Sequence, residues 1–223
     1  MEGRGCFEFK KSVFVLLLFI FFAAIVGAGK LFSSENPAFE KLKDVVIHFD
    51  RVAPGIYRSG AIYEDEGPLL KSLGIKTVIN LIDDAKRVKL EGKFLRVFGI
   101  EMFSIPWNGF DKPKDEVIDK ALALLNTQEL RPILIHCVRG SERAGLTVAC
   151  WRVQHDGWTA DQAYQEMKKY DFRAFWHGHL QEYLYQFAAR HNQAEVSSGN
   201  WAEKAKTNVL YFFYRFRKLA PSS

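Results

Sequence analysis

Residues 131–157 read RPILIHCVRGSERAGLTVACWRVQHDG. The run Ile133-Leu134-Ile135 is short, continuous and apolar, the pattern of a strand buried on both faces. From Arg143 the composition is helical, and Gly157 supplies a residue that can close the helix in a left-handed conformation. Between them lies HCVRGSER, with a cysteine, a glycine and two arginines at the point where strand becomes helix. A helix N-terminus and nearby cations favour the thiolate over the thiol. The amides of residues 138–143 can curl into a nest that receives an anion. Gly140 permits a backbone conformation that a side chain resists, and Arg143 can grip two oxygens of a phosphate with its planar fork. Thiolate, anion cradle and bidentate arginine within one turn are the parts needed for phosphoryl transfer to sulfur. The competing reading is a loop that happens to hold a buried thiol.

Working outward, the same alternation repeats. Upstream, VVIHFDRVAPGIYRSG predicts two short strands around Pro54-Gly55, and EDEGPLLKSLGI a short helix ended by Gly74. KTVINLI is β-branched and continuous, another buried strand, and DDAKRVKLEGK predicts a helix stopped by Gly92. FLRVFGIEMFSIPW is read as strand, and Asp111 and Pro113 as the opening of a helix through DEVIDKALALLNTQ. Downstream, Thr159 is a plausible N-cap for TADQAYQEMKKYDF, and RAFWHGHLQEYLYQFAARH predicts a last helix. Strands alternating with helices predict an α/β domain with a central, largely parallel twisted sheet flanked by helices.

The composition is compatible with one packed domain and appended segments. Of 223 residues, 48% are hydrophobic and 14% aromatic, which argues against a disordered chain. The net charge of +5 comes from scattered basic residues without an aromatic-interleaved stripe, so nucleic-acid binding is not expected. An anionic substrate or a membrane surface accounts for the charge. Cys6, Cys137 and Cys150 form neither a disulfide framework nor a metal signature, and the six histidines show no ligand spacing with them. Cys137 and Cys150 would lie about 20 Å apart along a helix, too far to pair.

Both ends stand apart from this pattern. Residues 1–11 are basic at Arg4, Lys10 and Lys11, and residues 12–29 carry no charge, which predicts a transmembrane anchor or a signal peptide. The flanking lysines put the N-terminus in the cytoplasm and the domain on the opposite face of a single-pass protein, periplasmic in a bacterium. Cleavage of a signal would instead give a secreted protein. Residues 30–44 read as a connector, 45–192 as the domain. Residues 193–223 form a basic amphipathic tail, suited to a membrane surface or to packing on the domain.

HCVRGSER resembles the His-Cys-x5-Arg signature of cysteine-dependent protein tyrosine phosphatases. GIYRSG, LGIKTVINL, RPILIHC and GWTADQAYQEM resemble segments of the dual-specificity branch, in particular its bacterial and atypical plant and fungal members. The resemblance spans roughly residues 47 to 190. It implies that Cys137 attacks phosphorus while Arg143 and the amides of Val138, Arg139, Gly140, Ser141 and Glu142 hold the phosphate oxygens. It implies that His136 orients the loop, and that no metal or cofactor takes part. An aspartate before the signature strand is implied as general acid, and Asp111 and Asp115 are the two candidates. Asp111 has the competing role of helix cap and Asp115 that of balancing the helix dipole; Glu142 is a further possibility.

Two positions depart from the family pattern. Ala144 stands where a Ser or Thr commonly follows the arginine, which implies slower turnover, and Ile82 stands where many relatives carry an arginine. Arg58 faces either the site or solvent. Cys150 reads as core, and His177 and His179 as helix-surface residues. The expected function is therefore a membrane-anchored phosphatase acting on phosphoprotein or on a phosphorylated lipid or inositol. The alternative is a catalytically weak or inactive phosphate-binding module.

Overall fold

The structure is a computed structural model that describes residues 36–191. The chain divides into two units after Pro37, and the account that follows is of the second. The expected span at residues 12–29 and the tail at 193–223 lie outside the described residues. Among the described residues, no helix is long and apolar enough to cross a membrane.

Five strands form one mixed sheet: β1 (Asp50–Ala53), β2 (Ile56–Ser59), β3 (Thr77–Asn80), β4 (Glu101–Ser104) and β5 (Ile133–His136). Their order is β1-β2-β5-β3-β4. β1 and β2 are antiparallel across the Pro54-Gly55 turn, and every other pairing is parallel, as the alternating pattern predicts. β5 is central, in register with Ile56–Ser59 on one side and Thr77–Asn80 on the other.

The pleat explains the continuous apolar runs, because successive side chains serve opposite faces. Ile133, Ile135, Ile79 and Ile56 enter one core. It is completed by α4 (Asp115–Asn126), α5 (Arg143–Asp156), α6 (Ala160–Lys169) and α7 (Ala174–His191). Leu134, Val78 and Tyr57 enter the other core, covered by α1 (Pro37–Val45), α2 (Gly67–Leu73) and α3 (Ala85–Val97). Helices α2 and α5 end at Gly74 and Gly157 in left-handed conformations, and Thr159 caps α6 by accepting from the Gln162 N–H, as expected.

Three local readings change. Residues 37–44, placed in the connector, form α1 together with Val45, and Phe39 and Leu42 are buried in the second core. Gly92 does not stop α3, which runs on to Val97 and buries Leu95. A side-chain carbon at Gly92 would stand 2.9 Å from Met102 Cε, so the glycine lets α3 approach β4. The helix after Pro113 opens at Asp115 rather than at Asp111. Asp111 is instead occupied in a turn, where its carboxylate accepts from Asn108 Nδ2 at 2.7 Å.

Candidate active site

The loop from Cys137 to Arg143 leaves the C-terminal end of β5 and enters α5, at the point where the parallel strands diverge around β5. Ligands of open α/β sheets collect at this kind of edge. The loop turns sharply at Gly140, whose φ is +76°. A side-chain carbon there would stand 2.7 Å from the backbone of Ser59 and Gly60, so glycine is required on two counts.

Three successive loop carbonyls are held from outside. Val138 O accepts from the Ala61 N–H at 3.0 Å, Arg139 O from His48 Nδ1 at 2.7 Å, and Gly140 O from Arg58 Nη2 at 2.6 Å. A trans peptide points its C=O and N–H in opposite directions. Carbonyls tied outward turn the following amides inward, the arrangement of an anion nest. One of these amides already has a partner, since the Gly140 N–H donates to Cys137 Sγ at 3.2 Å. Cys137 is buried, and Ser141 and Glu142 are buried with it, while Val138 is exposed at the rim.

Arg143 opens α5 and reaches across the site. Its Nη1 donates to Leu81 O at 3.0 Å, Trp107 O at 3.1 Å and Asp83 Oδ1 at 2.7 Å. These contacts aim the guanidinium along the ends of β3 and β4. Arg139 turns back onto Glu142 at 3.0 Å. His136 is fully buried, with Nε2 at 2.7 Å from Glu91 Oε1 of α3, so it anchors the end of β5 to a helix.

Arg58 is among the largest fully buried side chains. Its guanidinium lies 3.7 Å from the Tyr170 ring centroid, a desolvated cation–π contact. Burial lowers the pKa of Arg58, offset by Tyr170, Glu166, Cys137 and Asp50. Burial, and next a hydrogen bond to Asp50, push the Tyr170 phenol up to about 12, so the ring stays neutral beneath the arginine. Arg58 is thus not a surface residue; it lies buried behind the loop, with its guanidinium on the Gly140 carbonyl.

The two candidate acids separate in space. Asp115 Oδ1 accepts from Tyr183 Oη at 2.7 Å and Arg190 Nη2 at 3.0 Å, so it faces α7. Burial and then this carboxylate raise the Tyr183 phenol, which remains a donor. Asp111 lies in the segment beside Arg143, where a side-chain carbon on Gly109 would stand 3.4 Å from Arg143 Cγ and Nε. His177, expected on a helix surface, is buried at a kink in α7. Its Nδ1 donates to Gly109 O at 3.1 Å, and Nε2 lies 4.0 Å from Glu142 Oε1, so it joins the Asp111 segment to the loop. His179 also reaches Gly109 O, at 3.3 Å. Cys150 is fully buried in the first core, and burial raises its thiol well above the ordinary range.

His48, Asp83 and Glu91 carry no signal in the sequence, because each reaches the loop from a different segment. Among the described residues, no group of three or more His, Cys, Asp or Glu side chains is arranged to hold a metal ion.

Comparison with known proteins agrees with this geometry. The model of a family described as "Tyrosine phosphatase family" matches residues 45–205. The dual specificity protein phosphatase TpbA of Pseudomonas aeruginosa is 31% identical over 159 residues, spanning 67% of this chain and 71% of that protein. The inositol diphosphatase DSP3 of Arabidopsis thaliana is 33% identical over 128 residues, spanning 55% of this chain and 61% of its own. The crystal structure of P. aeruginosa TpbA in complex with pTyr shares the fold, with a TM-score of 0.57 at 23% identity over 68% of this chain and 92% of that one. With its signature cysteine and arginine set on one loop at the end of the central strand, the chain belongs to the tyrosine phosphatase family, as a cysteine-based enzyme of the dual-specificity-like kind.

Proposed function

We propose that the protein hydrolyses phosphate esters through a cysteinyl-phosphate on Cys137. The observation that carries this reading is the Gly140 N–H donating to Cys137 Sγ inside a loop whose carbonyls are tied outward. The same inward amides suit the equatorial oxygens of a phosphoryl group, where charge gathers in the transition state. In the first step the Cys137 thiolate attacks phosphorus, the bond to the leaving oxygen breaks, and Asp111 gives that oxygen a proton. Arg143 holds two phosphoryl oxygens. In the second step Asp111 takes a proton from water, the water oxygen attacks phosphorus, and the P–S bond breaks to release phosphate and the thiolate. Asp111 is favoured over Asp115 because Asp115 is committed to Tyr183 and Arg190.

Relatives named as a dual specificity protein phosphatase and as inositol diphosphatases support two substrate classes, phosphotyrosine and phosphorylated inositol. Phe110 favours the first. Its exposed ring adjoins Gly109 beside Arg143 and stands 5.3 Å from the His177 ring, a face on which an aryl leaving group can lie. A second reading, a phosphate-binding module of weak activity, is favoured by Ala144, which is fully buried and has no hydroxyl to offer the sulfur.

The test uses the full-length protein, p-nitrophenyl phosphate and a chelator. Hydrolysis that disappears in Cys137→Ser supports the enzyme reading. Wild type and Cys137→Ser that are equally inert, yet bind orthovanadate, support the binding module. A requirement for added metal contradicts the cysteinyl-phosphate route. Rates on a phosphotyrosine peptide and on an inositol pyrophosphate then separate the substrate classes.

A further inference from the structure

One peptide unit of the loop is held at both ends. The Arg139 carbonyl accepts from His48 Nδ1 at 2.7 Å, and the Gly140 N–H, the other half of the same planar unit, donates to Cys137 Sγ at 3.2 Å. C=O and N–H of a trans peptide are antiparallel, so the group that holds the carbonyl also aims the amide. We propose that His48 is a positioning residue for the nucleophile: by holding the Arg139 carbonyl it directs the Gly140 N–H at Cys137 Sγ and so stabilises the thiolate. This inference rests on the reading of Cys137 as the nucleophile.

The surroundings of His48 are built for that contact. A carbonyl oxygen only accepts, so Nδ1 carries a hydrogen there. Nδ1 is also 3.4 Å from Ser141 Oγ, and Nε2 is 3.1 Å from Asp171 Oδ2. The Tyr170 ring meets the imidazole edge-on, at 6.1 Å and 85°. His48 and Asp171 have φ of +54° and +59°, the two positive values among non-glycine residues described, and they are each other's partners. Left-handed backbone at such residues is uncommon and persists where the surroundings over-determine it. Here the outcome is a ring set between Asp171 and a loop carbonyl 91 positions away in the chain.

The Cys137 alkylation rate measures the thiolate directly. The other charged and titratable groups of the region are Arg58 on β2, His136 on β5 with Glu91 of α3, Asp83 after β3, Arg139, Glu142 and Arg143 on the loop, His177 of α7 beside Glu142, and Asp50, Glu166, Tyr170 and Asp171 around the ring and Arg58. All are common to the variants compared. His48→Gly removes the donor while accepting the left-handed backbone. His48→Asn accepts that backbone too and places an amide N–H near the position of Nδ1.

In the full-length protein, alkylation by iodoacetamide is followed by the mass of the peptide that holds Cys137, across a range of pH. His48→Gly is expected to react roughly tenfold more slowly at about pH 6, with its rate profile moved to higher pH, and His48→Asn to return close to wild type. A His48→Gly rate equal to wild type overturns the inference, and so does His48→Asn as slow as His48→Gly. If His48→Gly does not fold, His48→Asn is compared with His48→Asp, which offers an acceptor in place of the donor. Equal rates for that pair overturn the inference, and a slower Asp variant supports it. Wild type inert toward p-nitrophenyl phosphate would sink the phosphatase reading, whereas an active wild type matched in alkylation by His48→Gly would sink the role of His48 alone.

Discussion

Ala144 stands one residue beyond Arg143, fully buried in the first turn of α5. The nearest hydroxyl along that helix, Thr147 Oγ1, donates to Arg143 O at 2.9 Å and is therefore committed to the backbone. Nothing in that turn offers a hydroxyl to Cys137, so on the proposed cysteinyl-phosphate route the second step is expected to be the slow one. Stopped-flow assays of the wild type should show a burst of leaving group followed by a slower steady rate. Ala144→Ser should raise the steady rate by about tenfold, equivalent to about 1.4 kcal/mol of barrier, and diminish the burst. A wild type without a burst, or an Ala144→Ser variant at the wild-type rate, contradicts this account. Ala144, Cys137, Gly140 and Arg143 are legible in the sequence because they are neighbours in it. The groups that shape their loop are less so: Arg58 stood between site and solvent, while His48, Asp83 and Glu91 arrive from three other segments and only the fold brings them together.

At the scale of elements, buried strands were legible from their continuous apolar runs, and the helix stops at Gly74 and Gly157 from the glycines. The starts were harder. α1 looks like a polar connector because its buried residues are few, Ala38, Phe39 and Leu42 among nine. Those few matter to stability, since Leu42 is fully buried between Phe39, Val46 and the neighbouring core. Leu42→Ala should cost about 2–5 kcal/mol in urea unfolding, and a loss under about 1 kcal/mol would mean that α1 only rests on the domain.

α7 carries a second element-scale device, the kink at His177. Burial is the largest influence and lowers the His177 pKa from 6.5, against opposing effects of Glu142 and the Gly109 carbonyl. The unfolded chain takes up a proton near 6.5 while the folded ring resists it, so the unfolded state binds more protons on acidification. This contribution to stability is present above 6.5 and is lost as pH falls toward the lower folded value. His177→Asn keeps a donor for Gly109 O without a titrating ring, and its Tm should fall less than that of the wild type between about pH 6.5 and pH 5. Parallel Tm curves would remove His177 from the acid sensitivity of the fold.

At the largest scale, among the described residues, two cores clamp one sheet, and the loop stands at the end of its central strand. β5 is flanked on both sides by parallel partners, so the position of Cys137 is fixed by the most constrained strand of the domain. The bracing groups come from both layers: Glu91 from α3 on one face, His177 from α7 on the other. That two-sided support holds the seven-residue turn in place, and the proposed route puts the chemistry on its single sulfur. The most direct measurement is acid quench of the full-length protein during turnover of a phosphotyrosine peptide, followed by peptide mass spectrometry. A phosphate adduct on the peptide holding Cys137, absent in Cys137→Ser, is the predicted result. Turnover without that adduct in the wild type, together with turnover that persists in Cys137→Ser, would contradict the account.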